Sequence, residues 1–166
     1  MMNKQRGVGL VEVLVALLLL AVGVLGFSAL QFRALDAAQE AADRTAAINI
    51  ARDLADRMRI NRLGFASYKT AINNKESETG CFGSAVGYTP NCNSAKIAAY
   101  DATEIVAKAQ ELGQTIVIAD CVASSLRCIY VSWGETVIQP ADVSNCVDLT
   151  TGAYVVNSRC QVMEAF

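Results

Sequence analysis

The chain contains no histidine. Histidine is the commonest general base and metal ligand, and it serves as the base in Ser–His and Cys–His nucleophile pairs. Proline is also scarce, with only two residues, the first of which is Pro90. Lysine and arginine are scattered and the net charge is −2, so the sequence shows no basic footprint for nucleic acid. These absences argue against an enzyme and against a nucleic-acid-binding protein, and we expect no cofactor and no metal site.

A long apolar run follows a short basic leader. Lys4 and Arg6 precede the run, and 18 residues without a charge extend over 13–30. Together with residues 8–11 the run is long enough to cross a bilayer of roughly 30 Å as a helix. It exceeds the apolar part of an ordinary secretory signal peptide, which has roughly 7–15 residues. We therefore predict one transmembrane helix over 8–30, with the basic leader on the cytoplasmic side.

Glu12 is the only charged residue inside this apolar segment. An ionised carboxylate within a bilayer is energetically costly, so such a residue usually has a functional partner. A plain signal anchor explains the length and the orientation of the segment. It gives no reason for Glu12, which is therefore our first candidate functional residue.

The residues around Glu12 resemble a known signal. A basic leader that ends in Gly7, followed by an apolar helix with a glutamate near its start, is similar to the class III signal of type IV pilins and type II secretion pseudopilins. The resemblance implies that a prepilin peptidase cuts between Gly7 and Val8 and methylates the new N-terminus at Val8. It also implies that Glu12 acts in subunit assembly. The carboxylate would attract the amine of a neighbouring subunit or of its own helix, and the sequence leaves both pairings open.

The resemblance extends to a narrower group and to its partners. The string over 5–20, followed by Gly23 and Gly26, is more similar to minor pilins of the PilV kind than to major pilins. This implies a protein that initiates or caps the type IV pilus, with a single pass in the inner membrane, a periplasmic head and a place in the cell-surface pilus after assembly. The implied partners are the major pilin, other minor pilins, a tip adhesin, the prepilin peptidase and the inner-membrane assembly platform. A type II secretion pseudopilin and an adhesive or DNA-binding pilin head are the alternatives.

The helical pattern continues beyond the apolar segment without a break. Residues 31–62 contain neither glycine nor proline. Apolar side chains recur there at every third or fourth position, at Leu35, Ala38, Ala42, Ala46, Ile50, Leu54 and Met58. The charged residues of this segment, Asp53 and Arg57 among them, predict a solvated face. We therefore predict an amphipathic continuation of the helix over 31–62.

The remaining residues, 63–166, predict a small globular head. Residues 65–100 are rich in asparagine, serine and glycine, which indicates a long surface loop. Asp101 and Glu104 then fit a capping box, and they predict a short helix over 102–112.

The last part of the head is rich in strand-forming residues. Two β-rich runs lie at 114–121 and 127–133, and weaker ones lie near 135–139 and 153–157. They predict an antiparallel sheet within 114–160. The fold class is therefore α+β and pilin-like, with the long N-terminal helix packed on a small antiparallel sheet.

Six cysteines lie beyond the apolar segment, and none of them has a C-x-x-C spacing. An even number of cysteines behind an export-type segment predicts disulfides in an oxidising compartment rather than a zinc site. Many connectivities are allowed, but local spacing favours the pairs Cys81–Cys92, Cys121–Cys128 and Cys146–Cys160. For the middle pair, a four-residue turn would place Cys121 opposite Cys128. The last pairing resembles the C-terminal disulfide loop of many pilins.

Overall fold

The computed structural model describes residues 9–81, 92–122 and 124–165. Within these ranges the elements are α1 (Leu10–Ile60), a 3₁₀ turn (Arg62–Gly64), α2 (Phe65–Asn73), α3 (Ser94–Glu111), β1 (Gln114–Asp120), β2 (Arg127–Trp133) and β3 (Cys160–Glu164). The strands form one antiparallel sheet in the order β1-β2-β3. The predicted α+β, pilin-like class is confirmed.

The chain divides into two compact units, with the boundary between Ala41 and Ala42. In the first unit, α1 exposes its large apolar side chains from Leu10 to Leu35. The residues here are mostly leucine, alanine and valine without proline, so the backbone stays helical although nothing covers the side chains. By its length and composition α1 is able to cross a membrane. The placement of 8–30 in a bilayer stays a prediction.

In the second unit, the last part of α1 packs on one face of the sheet. The buried residues of α1 recur with helical spacing, at Ala47, Ile50, Ala51, Leu54, Ala55 and Met58. They meet the strand residues that point to the same face, Ile116, Ile118, Ile129, Val131 and Trp133. Each fully buried isoleucine, leucine, valine or methionine side chain of this layer contributes about 1.5–3 kcal/mol to folding. Of the apolar stripe predicted over 31–62, only Ile50, Leu54 and Met58 are buried in this core, whereas Leu35, Ala38 and Ala42 are exposed and Ala46 is half-buried.

The opposite face of the sheet is covered by the C-terminal part of the chain. Val117, Cys128 and Tyr130 of the sheet pack there with Val143 and Val147. Because both faces are covered, β2 is buried over almost its whole length. The second layer contains no helix in the part of the chain that the structure describes, and turns and isolated bridges hold it together.

The predicted surface loop over 65–100 is wrong at both ends. Phe65–Asn73 forms α2, and α3 begins at Ser94, where the side chain of Asn93 accepts a hydrogen bond of 2.9 Å from the Lys96 N–H. The predicted short helix over 102–112 is the last part of this longer helix, so the capping box at Asp101 is also wrong. Tertiary burial of Tyr68 and its neighbours overrides the weak local signal in α2. Residues 82–91 of the predicted loop lie outside the described residues.

The two weaker strands were predicted wrongly as well. The stretches near 135–139 and 153–157 contain only isolated bridges, at Gln139 and at Tyr154. The third strand is β3, which extends to Glu164, beyond the predicted end of the sheet at 160. β3 contains a single β-branched residue, Val162, so its propensity signal is weak, and its pairing with β2 determines its conformation.

The structure contains the three disulfides Cys81–Cys92, Cys121–Cys128 and Cys146–Cys160. The register expected at the middle pair is wrong, because Ala119 lies opposite Cys128. Cys121 is the diagonal neighbour of Cys128 on the same face of the sheet, and the two Cα atoms are 5.0 Å apart. A disulfide between diagonal neighbours needs no direct cross-strand pairing.

Candidate assembly helix and charged network

Glu12 lies in the first turn of α1 with its side chain exposed. Its N–H donates to the carbonyl oxygen of Gly9 at 3.0 Å, so the helix begins just before it. Val13, Ala16 and Leu17 are its apolar neighbours on the same face of the helix. The predicted cleavage site at Gly7–Val8 and the predicted methylation of Val8 lie outside the described residues, so these stay predictions.

An exposed apolar surface of this length marks a region that contacts a membrane or another protein. Glu12 is its only charged residue between Leu10 and Phe32. On such a surface a carboxylate is well solvated only while water reaches it, and it needs a cationic partner once the surface is covered. The helix thus combines a long exposed apolar surface with a single carboxylate.

A second feature was missed by the sequence analysis. Arg57, which we predicted to belong to a solvated face, binds three carboxylates. Its guanidinium lies 3.0 Å from Asp53, 2.8 Å from Asp101 and 2.6 Å from Glu104. Asp53 is on α1, whereas Asp101 and Glu104 are on α3, so the network joins the two helices. Sequence separation hides this group, because Arg57 and Asp101 are 44 residues apart.

The network continues into α2 through Tyr68. The Tyr68 hydroxyl donates to the Asp101 carboxylate, which is the most deeply buried acid of the group. Burial and the bond to Asp101 raise the pKa of Tyr68 above its ordinary value, so the hydroxyl remains a proton donor. On the exposed side, Lys108 lies 3.2 Å from Asp53. Three helices are therefore connected through the side chains around Arg57.

These acids form an ion-pair network rather than a metal site. Every acid of the group has a cationic or hydroxyl partner in the network. Across the described ranges of the chain, no group of three or more cysteine or acidic residues has a geometry that would hold a metal ion. The role of this network is structural, because it fixes the last part of α1 against α2 and α3.

The network predicts a loss of stability at acidic pH. Burial alone would raise the pKa of Asp53, but hydrogen bonds from Arg57 and Lys108 hold it below its ordinary value. The hydrogen bond from Arg57 likewise lowers the pKa of Glu104. A lowered carboxyl pKa in the folded state stabilises the fold above the unfolded-state pKa, and this contribution is lost as the pH falls. We expect the free energy of unfolding to be steady near neutral pH and to fall below about pH 5.

Urea denaturation of the oxidised protein at several pH values measures this dependence. Asp142 and Asp148 also have pKa values lowered by hydrogen bonds in their turns, so the wild-type curve contains their contributions. The double variant Asp53→Asn/Glu104→Gln isolates the network, and its curve should be flatter than that of the wild type. Parallel curves for the two proteins would contradict the assignment.

Two family profiles match the chain. A profile of the prokaryotic N-terminal methylation motif matches residues 2–28, and a profile of Tt1218-like proteins, described as type IV pilin Tt1218, matches residues 29–103. The second match includes Arg57, Tyr68 and Asp101, whereas all three strands lie beyond it. Comparisons with curated proteins and with solved structures found no significant match.

The two adjacent matches and the fold identify the chain as a type IV pilin with a class III signal. The recognition made from the leader and Glu12 is confirmed at this level. The type IV pilin family is structural rather than enzymatic. The apolar helix and the signal together indicate membrane anchoring and pilus assembly, with other pilus components as partners.

Proposed function

We propose that this pilin is a minor pilin of the PilV kind that initiates or caps the type IV pilus. The observation that carries the proposal is the exposed apolar part of α1 with Glu12 as its single charge. Two features favour a minor pilin over a major one. The string over 5–20 resembles minor pilins, and no proline precedes Pro90, whereas many major pilins have a proline in the N-terminal helix.

Assembly begins with processing. The prepilin peptidase cuts between Gly7 and Val8 and methylates Val8, which leaves a cationic amine four residues before Glu12. When subunits pack side by side, the apolar surface of α1 is covered and the local dielectric falls, so the attraction between Glu12 and a neighbour's amine strengthens. This pairing sets the axial register of the subunit. Within the head, the Arg57 network fixes the last part of α1 against α2 and α3.

The proposed location follows from the same arrangement. Before assembly, the chain crosses the inner membrane once, with the head in the periplasm, and after assembly it belongs to the cell-surface pilus. Its partners are the major pilin, other minor pilins and a tip adhesin, together with the prepilin peptidase and the inner-membrane assembly platform.

Deletion of the gene tests the proposal. We expect the number of surface pili per cell, counted by electron microscopy, to fall strongly, because filament initiation needs the minor pilins. A plasmid copy of the wild-type gene should restore the count, while the secretion of exoproteins should be unaffected in both strains.

Three outcomes would overturn the assignment. Normal piliation with impaired secretion would favour the type II secretion pseudopilin, and normal piliation with normal secretion would remove the assembly role. Normal piliation with reduced attachment to cells or reduced DNA uptake would point instead to an adhesive or DNA-binding head.

A further inference from the structure

Among the strands that the structure describes, β1 and β3 form the two edges of the sheet, since each pairs with β2 alone. The unpaired N–H and C=O groups of an edge strand are a template for a strand from another molecule. Unwanted strand pairing between molecules is a particular risk for a pilin, because pilus assembly brings many similar chains together. The side chains that lie on these two edges therefore have consequences for assembly.

On the β1 edge, Asn73 occupies the backbone groups of Ile118. The Cys121 N–H donates to the Leu126 carbonyl oxygen at 2.9 Å, so the backbone N–H and C=O groups of the odd-numbered residues of β1 point toward β2. The backbone groups of Ile118 therefore point away from β2, toward the edge of the sheet. The Ile118 N–H donates to Asn73 Oδ1 at 2.9 Å, and Asn73 Nδ2 donates to the Ile118 carbonyl oxygen at 2.8 Å. A side-chain amide has the same donor and acceptor as a peptide group. Asn73, the last residue of α2, thus takes the position of a pairing strand.

On the β3 edge, the outward-facing residue at the centre of the strand is Val162. The Trp133 N–H donates to the Arg159 carbonyl oxygen at 3.0 Å, so the backbone N–H and C=O groups of the odd-numbered residues of β3 point toward β2. Those of Val162 point away from β2, toward the edge of the sheet. The Val162 N–H donates to the Tyr154 hydroxyl oxygen at 3.1 Å. Gln161 Nε2 donates to the Val162 carbonyl oxygen at 3.0 Å. Both backbone groups of Val162 are therefore occupied, as both groups of Ile118 are on the other edge.

We propose that Asn73, Tyr154 and Gln161 are edge guards that prevent this sheet from pairing with a strand of a second copy of the chain. When both edges are protected in this way, subunits associate through packing of their helices and not through strand pairing. The guard on β3 matters most, because the neighbouring residues Val155 and Val156 are β-branched and Val156 is 86% exposed. An open edge beside an exposed, β-prone segment is an aggregation hazard.

The guard on β3 is the one to remove. Asn73 belongs to α2, and its bonds are half-buried, so a change there also affects the helix. Tyr154 is 49% exposed and its bond to Val162 lies at the surface. The variant Tyr154→Phe/Gln161→Ala keeps the ring of residue 154 and removes the polar groups that cover Val162.

The test uses the full-length oxidised chain in detergent micelles. Hydrogen exchange of the Val162 amide is measured by NMR, and molar mass is measured by light scattering over a range of concentrations. In Tyr154→Phe/Gln161→Ala we expect exchange of the Val162 amide to be faster by roughly tenfold or more, and the molar mass to rise with concentration relative to the wild type. The control is Tyr100→Phe, which removes a surface hydroxyl bonded to Glu104 at 2.8 Å on α3 and should change neither quantity.

A second variant separates strand pairing from misfolding. Tyr154→Phe/Gln161→Lys also uncovers the Val162 N–H but places a charge on the edge, which disfavours strand pairing. We expect fast exchange at Val162 with the molar mass of the wild type. The amide of Val131 in the buried central strand reports whether the head is folded. If the Val131 amide also exchanges faster in a double variant, that variant is not correctly folded. The single variant Tyr154→Phe then takes its place, with the same two measurements of Val162 exchange and molar mass.

Three results would overturn the edge guards. The first is unchanged exchange at Val162 in Tyr154→Phe/Gln161→Ala. The second is fast exchange in that variant without any concentration-dependent association. The third is equal association in the alanine and lysine variants.

Discussion

Glu12→Gln is expected to leave the pilin in the membrane and correctly cleaved, but to remove it from filaments. Glutamine keeps the size and the hydrogen-bonding capacity of the side chain and removes only the charge. The proposed pairing with a neighbour's amine then loses its electrostatic attraction in a water-excluded surface. We expect incorporation into sheared pili to fall by more than about tenfold, which corresponds to about 1.4 kcal/mol.

The matched control for this change is Glu111→Gln, the same substitution at the exposed last residue of α3. Immunoblots compare the amounts of each variant in sheared pili and in membranes. Mass spectrometry of the N-terminal peptide checks that both variants begin at Val8 with the same methylation. Normal incorporation of Glu12→Gln would remove the charge pairing from the proposed mechanism, even if the deletion strain lacks pili.

Arg57→Met is expected to lower the free energy of unfolding of the head by about 2–3 kcal/mol. The substitution leaves the buried Asp101 carboxylate, whose side chain is 11% exposed, without its cation. The full loss for a buried pair would be larger, but the Arg57 side chain is itself 28% exposed, so water compensates in part. Urea denaturation followed by the fluorescence of Trp133, the single tryptophan, measures the change.

Arg59→Met provides the control on the same helix. Arg59 is 56% exposed and its bridge to Asp56 is 3.2 Å long, so its loss should cost less than about 1 kcal/mol. Adding Asp101→Asn to Arg57→Met should recover part of the stability, because it removes the uncompensated buried charge. Equal losses for the two methionine variants would show that Arg57 contributes no more than a surface ion pair.

The parts of the fold that the sequence predicted are those with a strong local signal. α1 has uninterrupted helical periodicity without glycine or proline over 31–60, and the runs at β1 and β2 are rich in β-branched residues. The family was recognised from Gly7 and Glu12, whose spacing is also local. In each case neighbouring residues are sufficient to determine the structure or the signal.

The parts that the sequence missed depend on distant residues. α2 has only nine residues and no side-chain N-cap, and it is stabilised by burial of Tyr68 against α1 and α3. β3 has little strand propensity and depends on pairing with β2. The Arg57 network brings together residues of α1 and α3 that no local pattern connects. A helical wheel places Arg57 on a polar face, but it contains no information about which acids lie opposite that face.

The three disulfides are sequential and never interleave, since each bridge closes before the first cysteine of the next pair occurs in the chain. With the proposed topology, the head would emerge from the membrane N-terminal end first, so both cysteines of each bridge would be available before the next pair emerges. Oxidation in order of emergence would then yield the native pairing without reshuffling. Proteolysis between the bridges separates the head into fragments with one internal disulfide each, so the connectivity can be read directly from their masses.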